Sequence, residues 1–145
     1  MRWFKEAFSG RLSNLVTCVV ERDGDFWSVS WASDGRVPPD FKDHSLTAVT
    51  DRAASQVAAM YSGKPQAADA ELQFAIYPWE GNPGKVILDI TASTNGLVAR
   101  DIQGTEIAVE GASLEELVQK GETMLPNSKE AMFRWIRRVS ELQKT

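Results

Sequence analysis

Apolar and small polar residues alternate with a period of two along Phe26-Trp27-Ser28-Val29-Ser30-Trp31. That period predicts a strand with Trp27, Val29 and Trp31 on one face and Ser28 and Ser30 on the other. Asn14 to Arg22 reads as its partner, with Asp23-Gly24 as a two-residue hairpin turn. This turn sets Val20 opposite Trp27, Cys18 opposite Val29 and Val16 opposite Trp31, all on one face. A slip of one residue would put the apolar set on the wet side.

A second alternating pair runs from Glu71 to Trp79 and from Lys85 to Ala92, joined by Glu80-Gly81-Asn82-Pro83-Gly84. If these two runs form a hairpin, Ile76 faces Leu88 and Phe74 faces Ile90 on the core side. Tyr77 with Ile87 and Ala75 with Asp89 then lie on the other side. Asn95-Gly96 signals another turn. Leu97 to Ile102 and Thr105 to Glu110 are weaker strands of the same sheet. Gly35, Pro38 and Pro39 make residues 33–42 a loop.

Helical spacing appears elsewhere. Ser45 is a fitting N-cap for a helix to Tyr61, with Leu46, Val49, Ala53, Val57 and Met60 in one stripe and Gly63-x-Pro65 as its stop. Ser113-Leu114-Glu115-Glu116 is a capping box that opens a short helix ended by Gly121. Met132, Trp135, Ile136, Val139 and Leu142 predict a last helix over 126–142. A short helix is expected at Trp3 to Phe8, with Phe4 and Phe8 at i, i+4. The repeated Ser-Leu helix start, Ser45-Leu46 and Ser113-Leu114, hints at a duplicated unit. The expected fold is therefore α+β: a single domain over 1–145, with an antiparallel sheet of five or six strands built from hairpins. Its helices pack mainly on one face.

Composition narrows the function classes. A chain of 145 residues suits one domain and buries enough surface to need no disulfide or metal. The net charge of −4 speaks against a general nucleic-acid binder. One cysteine, Cys18, and one histidine, His44, leave no intramolecular disulfide and too few ligands for a zinc site of the usual kind. No apolar run reaches membrane-spanning length, and no signal peptide is read at the N-terminus. A cytoplasmic protein without cofactor or metal is expected.

Candidate chemistry is sparse. Cys18 points into the core on the expected register, where a thiol is inert. His44 is a candidate general base, but no motif sets a nucleophile and a carboxylate around it. Gly81 to Lys85 lacks the spacing of a phosphate loop and precedes a strand. Asp89 is an outward strand aspartate for which Arg100 is an available partner. Arg134, Arg137 and Arg138 read as the solvated face of the last helix. Tyr77, Trp79 and Ile87 share the outward sheet face, and aromatic patches of this kind mark interaction sites. The leading expectation is a non-catalytic protein-binding module of adaptor, chaperone-like or immunity type. It would meet a protein partner or a second copy of itself through Tyr77, Trp79 and Ile87. The alternative is a small-molecule binder or enzyme with a pocket between sheet and helices, drawing on Asp89, Arg100 and His44.

Overall fold

The computed structural model describes residues 15–31, 41–78, 86–101, 108–124 and 131–143. The helix expected at Trp3 to Phe8 and the tryptophan at position 79 lie outside them. Leu15–Asp23 (β1) and Phe26–Trp31 (β2) form the expected hairpin, but Gly24 and Asp25 make its turn. Asp23 therefore pairs with Phe26, Val20 with Val29 and Cys18 with Trp31. Moving the turn by one residue moves each partner by two, so the faces are unchanged. Val16, Cys18, Val20, Trp27, Val29 and Trp31 are all buried. Gly24 takes the left-handed φ of 63° that glycine adopts without steric cost.

The chain continues through Phe41–Asp43 (β3), which overlaps the end of the segment expected to be loop, and then Leu46–Met60 (α1). The Ser45 hydroxyl accepts from the Ala48 N–H at 3.1 Å and caps α1 as expected. A 3-10 turn at Pro65–Ala68 leads to Glu71–Tyr77 (β4). Val86–Ser93 (β5), Gly96–Asp101 (β6) and Ala108–Gly111 (β7) follow, then Leu114–Met124 (α2). Ser113 caps α2, its hydroxyl accepting from Glu116 N–H at 3.2 Å. Gly121 lies inside α2 rather than ending it. An added Cβ there would meet the Phe133 ring at 2.5 Å, so glycine is what lets the helix approach the sheet.

The last element corrects the expectation of a helix over 126–142. Ala131–Arg138 is a strand (β8), and only Val139–Leu142 is helical (α3). Spacings of three and four among Met132, Trp135, Ile136 and Val139 suggested a helix. The alternation Phe133, Trp135 against Arg134, Ile136 equally permits a strand, and a vacant place in the sheet decided between them. β8 lies between β4 and β5, antiparallel to the first and parallel to the second. The expected β4–β5 hairpin therefore does not exist. Among the described residues the sheet is mixed and has eight strands in the order β3-β2-β1-β4-β8-β5-β6-β7, where five or six antiparallel strands were expected.

That order is two copies of one unit. β1-β2-β3-α1-β4 and β5-β6-β7-α2-β8 each make two antiparallel pairings and return through a helix to a parallel one. β1 sets Cys18 beside Phe74, and β5 sets Leu88 beside Phe133. All four are fully buried. On the helices Val49 matches Leu117 and Thr50 matches Val118, each pair buried. The two units join along β4 and β8, where Phe74 pairs with Trp135 and Ile76 with Phe133. Exchanging equivalent residues turns one of these pairs into the other. Only Ala75 opposite Arg134 maps onto itself, so the register has twofold symmetry about that pair.

Both long helices lie on the face that carries Cys18, Phe74, Leu88 and Phe133. Ser45 of α1 donates to Glu115 of α2 at 3.2 Å, linking the two helix starts. Gln143 beyond α3 donates to the Ala58 carbonyl of α1 at 3.1 Å. Among the described residues no helix is long and apolar enough to cross a membrane.

Candidate functional site

The opposite face of the sheet carries no described helix. Strand pairing arranges its side chains in rows across the strands. The middle row runs through the twofold: Ser30, Val19, Ala75, Arg134, Asp89, Arg100, Ala108. Beside it, Glu21 stands next to Tyr77, and Met132 next to Ile87. On the other side Thr17 neighbours Gln73, which neighbours Ile136.

Tyr77 and Ile87 do share this face, as expected, and both are half-buried. They do not touch across a hairpin. β8 separates their strands and brings Met132 into register beside Ile87. Met132 is buried although it points away from the helices, whereas Ile136 is 45% exposed. Trp79 falls outside the described residues. Sequence reasoning missed Met132, Arg134 and Ile136 as members of this face because it assigned their segment to a helix. The signal available was the alternation of those three with Phe133 and Trp135.

Asp89 has a different partner from the one expected. Arg134 donates from Nε to Oδ1 at 2.6 Å and from Nη2 to Oδ2 at 2.9 Å, a bidentate pair. The hydrogen bonds to Asp89 raise the Arg134 pKa further, against the opposing effect of partial burial. Both side chains remain about 30% exposed (30% and 31%). Arg100 stands in register on the other side of Asp89 and is exposed. Arg137 turns to the helix side, where its guanidinium lies 4.7 Å from the centre of the Trp135 ring.

The far end of the same face is polar. Lys42 of β3 meets Asp23 of β1 at 3.1 Å, an exposed pair. Glu21, Asp23, Ser28, Ser30, Phe41 and Lys42 border a surface depression of about 320 Å³. His44 stacks on Phe26 with ring centres 4.1 Å apart, and its Nδ1 lies 3.2 Å from the Asp25 carbonyl oxygen. Both contacts hold the β3–α1 junction against the first turn. Between sheet and helices, where a pocket was the alternative expectation, Cys18, Leu46, Leu72, Phe74 and Phe133 are completely buried and fill the layer. Burial pushes the Cys18 thiol up to about 12. Among the described residues no group of three or more His, Cys, Asp or Glu could hold a metal ion.

Internal duplication gives a physical test of which face residues the fold requires. Several equivalent core positions hold matching apolar side chains, such as Phe74 with Phe133 and Val49 with Leu117, although buried Trp31 corresponds to Asp101. Equivalent positions on the open face diverge. Tyr77, Met132 and Ile87 correspond to Ile136, Gln73 and Thr17, and Asp89 with Arg134 corresponds to Val19 with Ala75. A βββαβ unit folds with either set, so packing alone does not dictate the apolar cluster or the ion pair. Compared with protein-family models, with curated proteins and with solved structures, the chain matches none.

Proposed function

We propose that the protein is a non-catalytic protein-binding module that uses the sheet face on which no helix lies among the described residues. The observation that carries this reading is Ile136, a large apolar side chain exposed on this face, with the half-buried Tyr77 and Ile87 on the same face. Large apolar side chains presented together stabilise a protein interface by burial, and aromatic residues often dominate its energy. Trp79 follows Tyr77 by two residues and belongs to the same proposal. The partner is another protein or a second copy of the chain.

A photo-crosslinking residue placed at Ile136 tests the reading in the protein's own cell, with Ser55 on the exposed side of α1 as the comparison site. Crosslinks to a defined protein, or to a second copy, from position 136 and not from 55 support it. Equal labelling from both positions, or none from 136, refutes it. Light scattering after size exclusion separates self-association from capture of a different protein.

A further inference from the structure

Charge on the open face is divided between the two units. The first unit contributes Glu21, Asp23 and Glu71, with Lys42 beside Asp23. The second contributes Arg100, Arg134 and Arg138, with Asp89 between the first two and Glu110 at the edge. Both oxygens of Asp89 already accept from Arg134. Arg100 and Arg138 make no ion pair among the described residues, although Asp89 and Glu71 stand in register with them. Arg100 and Arg134 correspond to Ser30 and Ala75 in the first unit, so the fold does not need these cations. Ile136 is exposed between Arg134 and Arg138, and Met132 and Ile87 border Arg134 on the other side.

Two guanidinium groups with unspent donors therefore share this face with the exposed Ile136 and the half-buried Ile87, in a chain whose net charge is −4. Guanidinium matches a carboxylate in a planar two-point contact. Apolar side chains between the cations favour a ligand that alternates charge with hydrophobic surface, which a bare polyanion does not. Resting on the protein-binding reading above, we infer that the second unit's open face docks an acidic, amphipathic segment of a partner protein. The segment's carboxylates meet Arg100 and Arg138, and its apolar side chains cover Ile136 and the exposed part of Ile87.

The test is selection of short random peptides on the immobilised full chain, followed by titration of the strongest binder by fluorescence anisotropy. The inference expects peptides that alternate Asp or Glu with large apolar residues. It expects Arg100→Glu and Ile136→Ser each to weaken binding about tenfold or more. Lys64→Glu, on an exposed turn away from this face, leaves binding unchanged. Added salt weakens binding. Peptides without acidic excess, unaffected by Arg100→Glu but weakened by Ile136→Ser, overturn the charge assignment and leave the protein-binding reading standing. No enriched peptide, or binders that neither variant affects, overturns both. Binding of oligothymidylate that Arg100→Glu abolishes reassigns the face to nucleic acid and overturns the inference.

Discussion

Cys18 offers the sharpest quantitative prediction, because its thiol is fully buried while the unfolded chain exposes it. In the folded chain it lies between Trp31 on β2 and Phe74 on β4, both buried. Burial disfavours the thiolate and raises the pKa from 9.0 to about 12. A folded-state pKa above the unfolded value gives stability that is intact below pH 9.0. It falls away as pH rises from there towards about 12, because the unfolded thiol ionises first. Each unit is worth about 1.4 kcal/mol, so the full window amounts to about 4 kcal/mol. Halfway through the window the loss is about 2 kcal/mol.

Comparing wild type with Cys18→Ala isolates that loss, since lysine and tyrosine titrations are common to both chains. Urea unfolding under reducing conditions is the assay. With a slope of about 2 kcal/mol/M for a domain of this size, the wild-type midpoint falls by about 1 M more than the variant's between neutral pH and mid-window. Parallel pH profiles for the two chains would refute the reasoning and place the thiol in contact with water.

Three further outcomes follow from the packing. Asp89→Ala destabilises more than Arg134→Ala, by roughly 1 kcal/mol after discounting for solvent screening, because Arg100 stands ready to pair with an orphaned Asp89 and like charges crowd an orphaned Arg134; thermal unfolding at low and high salt reads the difference. Gly96→Ala costs about 2–3 kcal/mol, since φ is +147° and the new Cβ would press on the Gly111 carbonyl and approach Ala112 Cα at 2.8 Å. Gly24→Ala, with φ +63° and open space around it, costs only about 1 kcal/mol, and chemical denaturation ranks the two. Phe74→Ala and Phe133→Ala each cost about 3–5 kcal/mol, because equivalent positions in the two units bury equivalent rings; unequal losses would deny the equivalence.

The sequence by itself determined which face each early strand buries and where the two long helices begin. Side-chain parity in a strand is local, so the β1–β2 faces survived a turn placed one residue away. A serine hydroxyl satisfies nearby backbone N–H groups, so Ser45 and Ser113 marked their helices without reference to the rest of the chain. The Ser-Leu repeat was a faint trace of the duplication, whose full extent lies in pairings the chain does not spell out. Tertiary structure alone decided that β8 enters between β4 and β5. The segment around Trp135 satisfies helical and strand periodicities alike, and burial between two strands favoured the extended form. That insertion replaced an expected Tyr77–Ile87 contact with a three-strand surface containing Met132. It also gave Asp89 the guanidinium of Arg134 rather than Arg100. The candidate site was legible as two residues on one face. Its third apolar member and its charges depended on a strand 45 residues distant, and no local pattern encodes such a pairing.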